Sequence, residues 1–398
     1  MRAGQGRRQF GFISILAVVF AVIAAALCGR AGAHPVTTPD ATRAVEHVLA
    51  ESRLLYPVSV DGKWGYIDET GCVVVEPVYD EADRMSEGMA AVVRDGKLGY
   101  VDSTGRPVIE PKLGDPTSSY CRAFSDGLAW VQIDGRFGCI DRTGRMAIEP
   151  QFDQAMPFCH GLAGVRVGDK WGFIDRQGKW IAEPQFDTAV GFHNDDRPPL
   201  RAPVAVAGKW GYIDAEGKLA IELKFDYAMS FCQDITSVRV GDRWGFIGKD
   251  GKYLVEPRFD YAACFWADYA PVCVDGKWGL VDRTGKLVAE PRFDAVDWLI
   301  QGRARIELDG KHGFINRNGE VVIKPQFEQA FSFDSGEPYY APVKLDGKWG
   351  YIDRSGAVVI HPQFDQAWGF SGPRAPVVVD GKPGWIDRTG RLVWGPGE

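Results

Sequence analysis

The sequence predicts an all-β repeat protein, and three observations carry that prediction. One octapeptide recurs, as DGKWGYID at 61–68 and 346–353, DGKLGYVD at 95–102 and DGKWGLVD at 275–282. The copies align on a glycine at 65, 99, 138, 172, 211, 245, 279, 313, 350 and 384, which makes ten units spaced by 34, 39, 34, 39, 34, 34, 34, 37 and 34 residues. Within each unit, apolar runs flank a glycine-bearing turn, Asp-Gly in seven of the ten units and the strongest short hairpin signal. Regularity of this length overrides any domain count from chain length, because one short unit cannot bury its apolar face alone while stacked neighbours share a core.

Taken in order, Met1–Ala33 reads as a secretory signal: Arg2, Arg7 and Arg8, then FGFISILAVVFAVIAAALC, then an Ala-x-Ala exit before His34. Arg7 and Arg8 suit a twin-arginine export signal or an ordinary basic n-region equally, and Leu27 before Cys28 argues against a lipobox. Cleavage removes Arg2, Arg7, Arg8 and Arg30 and no acid, so a net charge of −7 becomes −11. An acidic exported chain is a poor partner for nucleic acid. No later segment is apolar for long enough to span a bilayer as a helix. PDATRAVEHVLAESRLL (39–55) has helical spacing, and residues 34–54 are expected to form a helical cap on the first unit.

From 55 to 398 each unit reads as strand, tight turn, strand, turn, strand and a short FDxA segment. AAVVRDGKLGYVD shows the first hairpin, with Asp95 and Gly96 where positive φ is wanted. The second turn (DRTGR, DETGC, DRSGA) starts on an Asp that can accept from backbone N–H groups two residues on. The third strand, as VVVEP at 73–77, is expected to end at its proline, which cannot donate to a ladder. Lys or Arg precedes the aligned glycine pair in all ten units, its stem suited to cover the tryptophan and its head to meet water or a carboxylate. Of the seven cysteines after Ala33, only Cys159 and Cys232 share a repeat position, so they read as small apolar residues of a β core.

Six units keep the pairs Trp64-Gly65, Trp171-Gly172, Trp210-Gly211, Trp244-Gly245, Trp278-Gly279 and Trp349-Gly350, while Leu98, Phe137, His312 and Pro383 stand in for tryptophan elsewhere. On these residues the chain resembles the WG-repeat family of bacterial exported proteins, over 55–398. That resemblance implies a β-rich repeat fold without an enzymatic motif of its own. The tryptophans and glycines of the pairs are therefore expected to be scaffold, wedging adjacent units together.

Ten short units fit poorly with propellers of four to eight blades. The repeats begin on a first strand (LYPVSV) and end on a third (RLVWGP), leaving no strand in want of a partner. The expected shape is an open, curved solenoid of ten antiparallel units; a closed, β-propeller-like ring is the alternative.

Function in such an array is sought where units differ. Three intervals are long and contain GDPTSSYCR (114–122), GFHNDDRPPLRAP (191–203) and FDSGEPYYAP (333–342). Trp266, Trp298 and Trp368 follow the FDxA segment, and Tyr339 and Tyr340 lie in the third long interval. Exposed, these five could stack on sugar rings or anchor a partner protein; buried, they fill gaps. Catalysis finds no constellation. Asp68, Asp141, Asp175 and Asp282, with Glu76, Glu149, Glu183 and Glu290, recur from unit to unit, and Asp195 and Asp196 are adjacent. The six histidines are scattered, and no phosphate loop, nucleophile elbow or calcium loop is present. The expected protein is a non-enzymatic binding or interaction scaffold of the periplasm or cell envelope, without cofactor or metal. Its partner would be an envelope protein or, as the alternative, a cell-wall polysaccharide or peptidoglycan.

Overall fold

The computed structural model describes residues 54–114, 122–193 and 197–395. The expected signal segment and all but the last residue of the expected helical cap, with Cys121, Asp195 and Asp196, lie outside them. Ten antiparallel sheets follow one another, eight with four strands and two with three. Blade 1 holds Tyr56–Val60, Lys63–Ile67 and Val73–Tyr79; blade 2 holds Glu81–Ala82, Met89–Arg94, Lys97–Asp102 and Pro107–Leu113. The two-residue strand formed by the FDxA segment therefore begins the next blade instead of finishing its own.

Local chemistry builds each blade as the repeat requires. Asp61 and Gly62 take φ of 51° and 78° in the first hairpin turn. At the second turn the Asp68 carboxylate accepts the backbone N–H of Thr70 at 2.8 Å and of Cys72 at 3.1 Å, and the Thr70 hydroxyl at 2.6 Å. The third strand does not end at its proline. Val73–Tyr79 runs through Pro77, because the pairing steps from Tyr66↔Val75 to Trp64↔Tyr79 and leaves Glu76, Pro77 and Val78 in a bulge. A bulged residue needs no ladder donor, so proline is tolerated there. The bulge folds over the aligned glycine: a Cβ on Gly138 would lie 2.6 Å from the Ile148 carbonyl oxygen, and one on Gly65 2.2 Å from that of Val75.

Three contacts join successive blades. The Asp of FDxA accepts a hydrogen bond from the Lys or Arg before the preceding tryptophan and from a backbone N–H in the next hairpin turn. Asp80, for example, takes Lys63 at 2.6 Å and the Asp95 N–H at 2.7 Å. Lys209, Asp226 and Gly241 repeat this, as do Lys277, Asp294 and Asp309. Where the second strand carries tyrosine, its hydroxyl donates to a backbone carbonyl of the next blade, as Tyr212 to Met229 and Tyr351 to Trp368, both at 2.8 Å. Finally, the glycine of each second turn lies against the third strand of the preceding blade: Gly105 on Val74 and Val75, Gly144 on Ile109, Gly178 on Ile148, and so on to Gly390 on Ile360.

That last contact closes the array. Gly71 of blade 1 lies on Val393 of blade 10, with a built Cβ only 2.0 Å from the Val393 carbonyl oxygen. Tyr56, Val58 and Ile67 of the first sheet share a buried cluster with Trp385 and Val393 of the last. The Tyr56 and Trp385 rings are 4.9 Å apart, and the Tyr56 hydroxyl donates to Ser371 at 3.3 Å. The protein is a ten-bladed β-propeller ring, and the expected open solenoid is corrected. Closure needs no shared sheet, because complete terminal blades meet face to face through the same turn-on-strand packing that joins every other pair. Solvent is excluded between sheets, as where Trp349, Tyr351 and Ile360 of blade 9 pack on Phe370, Ala375, Val377 and Ile386 of blade 10.

Candidate functional site

Strand order separates the ring into two faces. Asp-Gly hairpins and the Asp clamps lie at one end of every sheet. The loops that lead from the short strand to the first long strand lie at the other end, beside the Asp-x-x-Gly turns. Two of the long intervals, 191–203 and 333–342, fall on this second face as far as they are described; 115–121 of the first lies outside the described residues.

The loop face is knitted by a cation at the second position of the turn in seven of the ten blades, wedged between the loop of its own blade and that of the blade before. Arg142 donates to the Glu87 carbonyl, Lys249 to that of Pro199 at 2.9 Å, and Arg388 to those of Gly372 (2.9 Å) and Pro338. Carboxylates on the loops balance two of these charges: Arg283 pairs with Asp234 at 3.2 Å, and Arg388 with Asp334 at 3.3 Å. Burial pushes the Asp334 carboxyl up, and the Arg388 charge partly opposes the shift.

The expected aromatic residues divide here. Trp266, Trp298 and Trp368 are exposed, at 47, 41 and 42%. They occupy three different positions of the repeat, equivalent to Ser86, Arg84 and Asp83 of blade 2, so they do not form one register-matched row. Trp298 sits beside the loop that carries Trp266, its indole N–H donating to the Cys264 carbonyl at 2.9 Å; Trp368 belongs to blade 10. Tyr339 and Tyr340 are half-buried. Tyr340 packs on Phe370 and under Arg388, and Tyr339 lies under Arg354 with its hydroxyl donating to Glu337 at 3.0 Å. That hydrogen bond to the carboxylate, chiefly, raises the Tyr339 pKa.

Tyr339 walls an open cleft of about 590 Å³, with Glu337, Pro338, Asp353, Arg354 and Ser355. The three additional residues of the eighth interval build it, by raising 335–339 beside the turn of the same blade. A second surface went unnoticed in the sequence reading. Trp210, Tyr227, Trp244, Tyr261 and Trp278 form a continuous series of rings with neighbouring centroids 5.0–5.6 Å apart. Its signal was the tyrosine in two successive FDYA segments. Tyr227 and Tyr261 are 41 and 37% exposed, while Trp244 beneath them is buried.

The repeated aspartates are occupied by structure, while Glu76, Glu149, Glu183 and Glu290 are exposed in the third-strand bulges. Asp141 and Asp282 accept from their turns as Asp68 does, each at 2.6–3.1 Å. The clamps hold their carboxyls below the ordinary range, through the Lys hydrogen bond first at Asp80, Asp187 and Asp226 and the Gly168 N–H first at Asp153. Among the described residues, no group of three or more His, Cys, Asp or Glu is placed to hold a metal ion.

Nine consecutive segments, running from 64–97 to 349–382, match the WG containing repeat family, and the chain belongs to it. Each segment runs from about one WG position to the next, so nine segments span the ten blades. No curated protein matches the sequence. Among solved structures, a eukaryotic initiation factor is similar in fold, with a TM-score of 0.50 at 13% identity over 86% of this chain and 95% of that one. AztD of Citrobacter koseri (TM-score 0.35, 12% identity, 86% and 94% covered) and Hsv2p of Kluyveromyces lactis (0.35, 10%, 57% and 89%) also match. Among the described residues no helix is long and apolar enough to cross a membrane.

Proposed function

We propose that the ring is a non-enzymatic binding scaffold that works in the periplasm or cell envelope after removal of Met1–Ala33, and that it holds its partner on the loop face. The cleft beside Tyr339 carries this reading. It lies where the repeat is interrupted, on the side where variable loops gather, and its aromatic and cationic walls suit recognition. The repeated aspartates support a role without catalysis, since Asp68, Asp141 and Asp282 serve their turns and Asp80, Asp226 and Asp294 their blade clamps. An envelope protein is the favoured partner, because a rigid ring with variable loops suits shape recognition of a large surface. Exposure of Trp266 and Trp298 on neighbouring blades favours a second reading, a cell-wall polysaccharide stacked on these rings.

The test is co-sedimentation of the purified mature protein with peptidoglycan, beside a variant carrying Trp266→Ala, Trp298→Ala and Trp368→Ala. Binding that the variant loses establishes the wall-binding reading. If neither protein sediments, cross-linking in the envelope should capture a protein partner, and its failure as well would refute the scaffold reading.

A further inference from the structure

Three arginines crowd together at one place on the loop face. A Cβ built on Gly302, in the blade 8 loop, would lie 3.1 Å from an Arg354 Nη and 3.6 Å from the Arg317 Nε, so two guanidinium groups converge on one glycine. Arg303, the next residue, donates from its Nε and one Nη to the Arg354 carbonyl at 3.3 and 3.2 Å and from the other Nη to Gly302 at 3.0 Å. Three cations thus meet, in a chain of net charge −7. Among the described residues no carboxylate forms an ion pair with any of them.

Two residues of the blade 8 loop contribute to this excess. The loop position that holds Glu87 in blade 2 and Asp126 in blade 3 is Gln301 here. The position of Met89 and Leu128 is Arg303. Blade 10 shows the balanced form of the second change. Arg374 stands where Arg303 does, but the turn it reaches carries Glu69, whose carbonyl it meets, in place of Arg354. At Arg303, by contrast, burial and the charge of Arg354 both lower the pKa. Of the acids nearby, Glu337 accepts from Tyr339, Asp353 accepts from Ser355 and Ala357 within its own turn, and Asp297 pairs with Arg305.

We propose that Arg303, Arg317 and Arg354 form an anion site that takes a carboxylate or phosphate group, with the body of the ligand in the cleft against Pro338 and Tyr339. Guanidinium groups recognise such oxyanions through charge-assisted, forked hydrogen bonds. Arg354 lies over the Tyr339 ring, 5.6 Å from its centroid, and so joins the cation cluster to the cleft. The inference deepens the binding reading above, since the cleft is shared. Small anions test it, so that its failure is distinct from a failure to bind peptidoglycan.

Isothermal titration of the mature protein at low ionic strength, with inorganic phosphate and separately with D-glucuronate, reads the site and tells its two oxyanions apart. Gln301→Glu restores the carboxylate that Glu87 provides in blade 2 at nearly the same backbone φ (52° and 50°), so the variant should keep its fold. The expected result is binding of one or both anions, weakened about tenfold or more by Gln301→Glu and by Arg317→Gln with Arg354→Gln, at an unchanged melting temperature. Failure of both anions to bind, or equal binding by wild type and the folded Gln301→Glu variant, overturns the proposal.

Discussion

Replacing Gly71 by alanine tests whether the first and last blades meet. Gly62 and Gly71 belong to the same blade and both have positive φ, 78° and 92°. An alanine at either carries the cost of a left-handed conformation, about 1–2 kcal/mol. Their surroundings differ: around Gly62 a Cβ would find nothing within 4 Å, whereas at Gly71 it would lie 2.0 Å from the Val393 carbonyl oxygen. Val393 cannot withdraw freely, because it is buried with Tyr56, Val58, Ile67 and Trp385. Overpacking of this kind adds about 1–3 kcal/mol. Gly71→Ala should therefore unfold at lower urea concentration than Gly62→Ala by that additional amount. Gly217→Ala, where the Cβ would lie 2.2 Å from the Ile181 carbonyl oxygen between two interior blades, should resemble Gly71→Ala. Equal midpoints for Gly62→Ala and Gly71→Ala, with Gly217→Ala lower, would refute closure and restore the open solenoid.

Two further outcomes follow from the blade clamps. Asp80, Asp187, Asp226 and Asp294 have carboxyls held below the usual value by a Lys hydrogen bond and a backbone N–H. A depressed carboxyl stabilises the fold above its unfolded pKa, about 3.9, and that stability is lost as pH falls through the lower folded value. The urea midpoint should thus fall between pH 6 and pH 3, and less steeply in Asp226→Asn with Asp294→Asn; parallel pH curves would count against the clamps. Tyr212→Phe removes a buried hydroxyl that donates to Met229 of the next blade and should cost about 1 kcal/mol in the same assay, which an unchanged midpoint would contradict.

Much of the blade was legible because its signals are local. Asp-Gly at positive φ and Asp68 accepting from Thr70 act within a few residues, so their geometry can be read from spacing. The bulge at Glu76 to Val78 was misread, since Pro77 punctuates a strand in sequence yet sits where no ladder hydrogen bond is required. At the candidate site, the expected aromatic residues separated: Tyr339 lines a cleft, Tyr340 is packed, and Trp266, Trp298 and Trp368 take unlike positions. The arginine cluster escaped notice because Arg303, Arg317 and Arg354 look ordinary in sequence, and only the adjacency of blades 8 and 9 brings them together.

The sequence alone determined the number of units, their β character, the turn chemistry and the family, because ten copies repeat the same short-range constraints. Tertiary structure decided between solenoid and ring. A small rotation at each interface accumulates over the array, and whether Gly71 reaches Val393 depends on the sum of those rotations, which no single unit encodes.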